Sequence, residues 1–461
     1  MPTPPLLVTN GRIVTASEDF RGDVLAVDGV VERIERRIDP ASAPRGATVV
    51  DAKDKFVFPG FIDPHVHVHL PFMGTHAKDT WESASQAALV GGTTTLIEMI
   101  CPGKQDDPLE AFETWLSKAN AGAACDYSFH MGVTRFDGAA ERALREIVRR
   151  GITSFKVFLA YKGALGVDDR ELFAAMRLAR ELGVVVTAHC ENETLVDEAQ
   201  RSLVSAGRTG PEWHEPSRPP RVEAAGVHHL MAFAEATGAE VYVVHTSCDE
   251  AVREALAGIG RGVHAHVEVV IPHLVLDRSY AERPGFEGAK FVMSPPLRDA
   301  SQPPRLWNWL RAGVIETVAT DHAPFDFETQ KHMGRDDFTR IPNGIPSVED
   351  RVNLLWTHGV CAGRIDLHTF VASASANAAR IFGLKGKGSI AVGGDADLVI
   401  YDPKFRGRIT AANHRMATDY SAFEGWELKG RASVVVRRGE IVAKDGRFVG
   451  PGGGGRLVPR A

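Results

Sequence analysis

The chain has 461 residues, 44% of them hydrophobic and 24% charged, with a net charge of −6. That is an ordinary globular balance, with too little charge to direct the protein to nucleic acid or an anionic membrane, and no apolar run approaches the roughly 20 residues of a membrane helix. The length exceeds one ordinary core but suits a barrel of about 250 residues or more with a smaller module attached.

The N-terminus, Met1-Pro-Thr-Pro-Pro, lacks a basic stretch followed by an apolar run, so no secretory signal is expected. The five cysteines (Cys101, Cys125, Cys190, Cys248, Cys361) are odd in number, widely spaced and without a Cys-X-X-Cys pair. Neither a disulfide framework nor a zinc ribbon is expected, and a reducing, cytoplasmic setting is.

Residues 1–55 read as short β-rich runs divided by Asn10-Gly and Asp28-Gly turn signals. About 50 residues make a thin independent β domain. The far end, 386–450, again reads as strands and hairpins. The two ends are therefore expected to build one small β-sandwich, with the middle of the chain inserted. Residues 451–461 are Gly-rich and read as a loose tail.

The middle, 56–385, alternates strand and helix. Strand-like runs begin at Phe56, Thr93, Asp126, Ser154, Val184, Val241, Val263 and Thr317. Helical patterns lie between most of them, at 80–90, 108–120, 139–150, 168–182, 222–237 and 250–259. Eight such alternations predict an α/β architecture, a (β/α)8 TIM-like barrel. A doubly wound open sheet is the alternative.

Five of the eight strands carry a possible ligand at or near the C-terminal end, where barrels build their sites. The first closes on His65-Val-His67, and alternation puts both imidazoles on one face, able to grip one divalent cation. Lys156, His189, His245 and Asp321 stand on the fourth, fifth, sixth and eighth strands. Each alone reads equally as a structural polar group; their coincidence at one mouth points to metal. Lys156 has two readings. It is a lysine that snorkels or pairs with a carboxylate, or it is carboxylated by CO2 to a carbamate whose two oxygens bridge two cations. In the second, His65 and His67 hold one ion, His189 and His245 the other, and Asp321 completes the first beside a metal-bridging hydroxide. His264 and His266 repeat the His-X-His pattern mid-strand and are expected to be structural. His130 is expected to be structural too, and His322 to orient its neighbours.

Several longer stretches carry a resemblance: Asp63-Pro-His-Val-His-Val-His-Leu-Pro, Gly91-Gly-Thr-Thr-Thr, Ser154-Phe-Lys-Val-Phe-Leu-Ala-Tyr-Lys-Gly, Gly210-Pro-Glu-Trp-His-Glu-Pro-Ser-Arg-Pro, Ser294-Pro-Pro-Leu-Arg, Thr320-Asp-His-Ala-Pro-Phe and Ile341-Pro-Asn-Gly-Ile-Pro-Ser. Almost end to end the chain resembles the cyclic amidohydrolases, and within them the dihydropyrimidinase/hydantoinase group. The resemblance implies a barrel with a β-sandwich from both chain ends, two divalent ions per chain (zinc) and a carboxylated Lys156. It implies that Tyr161, Ser294 and Asn343 contact substrate, the last two through backbone groups. Asp321 and Tyr161 would be catalytic, the first shuttling a proton and the second stabilising the oxyanion. The implied activity is that of a dihydropyrimidinase or D-hydantoinase, a place in pyrimidine degradation: a cyclic ureide or imide is opened to an N-carbamoyl amino acid. The implied assembly is a homotetramer, without nucleic-acid or membrane partners.

Three alternatives stand beside that reading. Dihydroorotases of this kind place Arg two residues after the second histidine, where this chain has His69. An allantoinase would present a similar sequence. The non-catalytic collapsin-response proteins share the fold but have lost metal ligands, all of which are present here. Ser347 stands where relatives often have Gly or Ala, and Ala323 where many have Cys; both bear on substrate range.

Overall fold

A computed structural model describes residues 3–460. Met1 and Pro2, at the head of the N-terminal stretch read above, and Ala461, the last residue of the expected tail, lie outside the described residues.

The chain opens with β1 (Leu6–Val14), β2 (Asp19–Val27), β3 (Val30–Glu35), β4 (Thr48–Asp51) and β5 (Phe56–Pro59). Asp28 and Gly29, at φ 50° and 82°, make the expected turn between β2 and β3. Asn10-Gly11 does not split its run. It is a bulge inside β1, with Asn10 at φ 61° and its N–H donating to Asp23 Oδ1 at 2.8 Å. A Cβ at Gly11 would strike Val57 on the adjacent β5.

The barrel follows. It begins with β6 (Phe61–Val66); a short ribbon, β7 (Pro71–Phe72) with β8 (Thr75–His76), lies over it. Then come β9 (Thr93–Ile100), β10 (Asp126–Gly132), β11 (Ser154–Phe158), β12 (Val185–His189), β13 (Val241–Val243), β14 (Ala265–Val270) and β15 (Thr317–Ala319). These eight strands run parallel in sequence order. The Asp321 N–H donates to His65 O at 3.0 Å and the His67 N–H to His322 O at 2.8 Å, closing the last strand on the first. Helices cover the outside. The helix Asp169–Leu182 shows why they form where they do: Asp168 and Glu171 make a reciprocal capping box, and Gly183 at φ 67° ends it.

The two chain ends meet as expected. Here β16 (Leu398–Arg408), β17 (Glu427–Arg437), β18 (Glu440–Lys444) and β19 (Arg447–Phe448) join the opening strands in one nine-stranded mixed sheet, with β5 between β1 and β16. Its apolar face gathers Leu6, Val8, Val24, Val57, Leu398 and Val436. The strand expected at 56–67 is thus two strands. Phe56–Pro59 belongs to this sheet, and the barrel begins only at Phe61. The chain breaks at Gly60, whose N–H donates to Asp397 O at 2.8 Å and where a Cβ would collide with Thr94.

Lys387 fastens the barrel base to this sheet. Its buried ammonium lies 2.6 Å from Asp126 Oδ2, 2.9 Å from Asp395 Oδ2 and 2.6 Å from Asp397 Oδ2. The expected loose tail is also corrected. Its described part threads the barrel base: Tyr127 N–H donates to Arg456 O at 3.0 Å, and Val458 N–H returns to Tyr127 O at 2.8 Å. Unsatisfied edge groups of β10, which pairs with β11 only at Met131 and Gly132, draw the segment in.

At the same end, His266 sits between two carboxylates, 2.6 Å from Glu316 Oε2 and 2.8 Å from Glu240 Oε1. Burial pulls this imidazole down, but the two carboxylates outweigh it and raise it to about 9. Its contribution to stability is therefore complete below the unfolded value near 6.5 and is lost as pH rises through 9. Denaturant unfolding of wild type and His266→Gln is expected to show a gap on the order of 2 kcal/mol at pH 6 that narrows by pH 10; a gap independent of pH would contradict the assignment.

Candidate active site

Side-chain alternation along short parallel strands delivers the expected polar residues to one mouth. An open cleft of about 450 Å³ there is lined by His67, Lys156, Tyr161, His189, His245, Ser294, Asp321 and Asn343, with Leu70, Phe72, Phe158 and Leu165 as its apolar wall. His65 lies beneath it, fully buried. Asp321 Oδ1 is 3.1 Å from His65 Nε2 and 3.0 Å from His67 Nε2. Ligand atoms of these three residues all fall within 4.8 Å of one another, a group that can hold a metal ion.

The second histidine pair is as close. His189 Nδ1 is 3.0 Å from His245 Nε2, and the His65 and His245 rings are 5.4 Å apart. Carboxylates behind the imidazoles set their tautomers. His65 Nδ1 lies 2.8 Å from Glu268 Oε1, and His189 Nε2 lies 2.8 Å from Glu191 Oε2. An ionised carboxylate only accepts, so each imidazole donates backward and turns its other nitrogen toward the cleft. Burial keeps most of these rings neutral: it pulls His67 down to about 4, and lowers His189 and His245 as well. His65 differs. Burial acts against its charge, but Glu268 and Asp321 on either side raise it to about 9, so positive charge is favoured between His65 and Asp321.

Lys156 is completely buried. Its Nζ has no hydrogen-bond partner among the described residues, and burial lowers its pKa. The reading in which it pairs with a carboxylate therefore has no support; its Nζ lies 4.9 Å from the centre of the Phe158 ring. His65 Nε2, His67 Nδ1 and His245 Nδ1 are likewise buried without a hydrogen bond among the described residues. Orphaned nitrogens of this kind, beside one carboxylate, suit cations.

Tyr161 leans over the cleft at φ 61°, its ring 5.4 Å from His189 and 5.6 Å from Phe72. Burial pushes its hydroxyl up, opposed by Arg218, whose guanidinium lies 5.4 Å from the ring. Asn343 Nδ2 donates to Ser294 Oγ at 2.9 Å, bringing the two expected substrate segments together. His130 is buried between Ser154 Oγ and Pro64 O, outside this cleft. His322 stands behind Asp321, 2.8 Å from Asp79 Oδ2, with Ser347 N–H donating to its Nδ1 at 3.1 Å. Of the two unusual residues, Ala323 lines the cleft and Ser347 is buried behind it.

Sequence reasoning missed the groups behind the ligands. Glu268 accepts from the His245 N–H at 2.8 Å and from the Tyr242 hydroxyl at 2.8 Å, besides holding His65. Glu98 accepts from the N–H groups of Val68 and His69 at 3.0 and 2.9 Å. Each is a lone acid inside an apolar strand, which was the available signal. Arg218, bound to Glu191 at 2.5 Å, stands in the 210–219 stretch that carries the resemblance, but nothing local pointed to its partner.

The profile of the Amidohydrolase family matches residues 56–442. A D-hydantoinase of Geobacillus stearothermophilus is 44% identical over 457 residues, covering 99% of this chain and 96% of that protein. A dihydropyrimidinase of Rattus norvegicus is 38% identical, covering 100% of this chain and 89% of the relative. Among solved structures, a D-hydantoinase (dihydropyrimidinase) from Thermus sp. superposes with a TM-score of 0.96 at 55% identity and 99% coverage of both chains.

Glu268 offers a direct check on this geometry. In Glu268→Gln, metal affinity measured against a competing chelator is expected to fall by about 10- to 100-fold; unchanged affinity would mean that the Glu268 contact does not orient His65 toward a cation.

Proposed function

The chain belongs to the amidohydrolase family, and we propose that it hydrolyses the cyclic amide bond of hydantoins and dihydropyrimidines to give N-carbamoyl amino acids. The observation that carries this reading is a single cleft where His65, His67, His189, His245, Lys156 and Asp321 lie beside Tyr161, Ser294 and Asn343. Full-length similarity to D-hydantoinases and dihydropyrimidinases supports it.

The family is metal-dependent, and the orphaned buried nitrogens around the cleft fit cations. In our proposal two zinc ions would be held, one by His65, His67 and Asp321 and the other by His189 and His245, and Lys156, carboxylated by CO2, would supply further oxygen ligands. Such ions supply Lewis acidity, polarising a carbonyl and making water acidic near neutral pH. The residues do the rest. Asp321, fixed by its backbone bond to His65, takes the proton of the attacking water and passes it to the leaving ring nitrogen, as base and then acid. The Tyr161 hydroxyl, kept protonated by burial, donates to the carbonyl oxygen as negative charge grows on it. Backbone groups at Ser294 and Asn343 meet an imide edge, which offers both donor and acceptor. The apolar wall of Leu70, Phe72 and Phe158 limits water around the ring.

His69 stands with its N–H tied to Glu98, and burial lowers it to about 4, so it offers no cation to a substrate carboxylate. That favours a cyclic ureide without a carboxylate over dihydroorotate. We further propose a cytoplasmic homotetramer. Among the described residues the five cysteines are free, which suits a reducing compartment. No described helix is long and apolar enough to cross a membrane.

Hydantoin, 5-substituted hydantoins and dihydrouracil are expected to be opened with release of the N-carbamoyl product, and dihydroorotate to be left intact. Tyr161→Phe is expected to lower kcat by about a hundredfold with metal content retained. Faster turnover of dihydroorotate or allantoin than of hydantoin, the other 5-substituted hydantoins and dihydrouracil would overturn the assignment.

A further inference from the structure

Lys331 is fully buried, on the same loop that leaves the barrel at Asp321. Its ammonium has no carboxylate partner among the described residues. Instead it donates to three backbone carbonyls: Val292 O at 2.9 Å, Pro342 O at 2.7 Å and Gly344 O at 2.8 Å. Three donors meet three acceptors, so its hydrogen-bonding capacity is filled. Burial lowers its pKa, and nothing but these carbonyls compensates the charge.

The carbonyls belong to two segments, and each flanks a residue at the cleft. Val292 lies two residues before Ser294; Pro342 and Gly344 bracket Asn343. The segments also hold each other, since the Gly344 N–H donates to Val292 O at 2.9 Å. Gly344 packs so tightly on Ala323, two residues past Asp321, that a Cβ there would collide with the Ala323 carbonyl. Its neighbour Ile345 bridges to His322. One ammonium therefore ties the loop carrying the proposed proton shuttle to both segments that face the substrate ring.

We propose that Lys331 is a positioning residue that sets the spacing of the Ser294 and Asn343 backbone groups, and through them the grip on the imide edge of the substrate. This rests on the cyclic-amide reading above. Lys331 touches neither substrate nor ligand residue; it acts through peptide groups whose carbonyls it orients. A lysine suits the task because a tetrahedral ammonium reaches three converging acceptors, while a planar guanidinium directs its donors into one plane.

The test compares wild type with Lys331→Met and Lys331→Arg, using dihydrouracil and a racemic 5-substituted hydantoin. Lys331→Met keeps the stem and removes the charge. The expected result is a rise in KM of about tenfold or more, with metal content unchanged. The ratio of the two hydantoin enantiomers turned over is expected to move toward one, because a loosened edge no longer fixes the ring's orientation. Lys331→Arg is expected to fall between the two. An unchanged KM and enantiomer ratio in folded, metal-loaded Lys331→Met would overturn the proposal. If Lys331→Met does not fold, the same readouts on Lys331→Arg decide: wild-type KM and enantiomer ratio in that variant overturn it. Wild type inactive on all cyclic ureides would instead defeat the cyclic-amide reading, so the two failures are separable.

Discussion

A lysine side chain buried to zero exposure with nothing to bond is the constraint around which this barrel is arranged. Removing an ammonium from water without a partner costs several kcal/mol, and proteins avoid it by pairing or neutralising the group. Among the described residues Lys156 has no pairing carboxylate. What surrounds it is a ring of imidazoles and Asp321, the donor set that divalent cations favour. A neutral amine that takes up CO2 and releases a proton becomes an anionic carbamate, and an anion among cations is compensated where an ammonium is not. The proposed carbamate thus explains both why the lysine is tolerated and why the histidines point where they do.

The rest of the mouth is stiffened to keep that set in place. Glu268 and Glu191 fix the tautomers of His65 and His189 from behind. Tyr161, His245 and Asp321 all have positive φ, at 61°, 39° and 52°. Side chains in that region cost on the order of 1–3 kcal/mol each, and they persist where the surroundings over-determine them. Here the surroundings are visible: Asp321 is bonded through its N–H to His65, His245 through its N–H to Glu268, and Tyr161 through its N–H to Glu193. Strain sits on the residues proposed for chemistry, and the barrel's closing bonds hold it there.

Much of this was legible in the sequence because strand alternation is local. His65-Val-His67 at a strand end places two rings on one face, and repeated strand–helix patterns put Lys156, His189, His245 and Asp321 at the same mouth. The long-range partners were not legible. Glu268 reaches a histidine 203 positions away, and Lys331 bonds a carbonyl 39 positions before it. Nothing local marks such pairs beyond a polar residue in an apolar run. The boundary errors have local causes too. The run from Phe56 to Ile62 carries no polar side chain, so the close approach of Gly60 to Thr94 is what shows where one sheet ends and the next begins. The Gly-rich composition of 451–461 reads as slack chain, while its described part is held by backbone bonds at the barrel base.

The bridging role of Lys156 is tested most directly by loading the protein with zinc in 13C-labelled bicarbonate and measuring metal content together with the carbon NMR spectrum. The account predicts two metal ions and one carbamate carbon per chain, the carbamate signal being absent from Lys156→Ala. Two metal ions and full hydantoin turnover with no labelled carbon on the protein would contradict it.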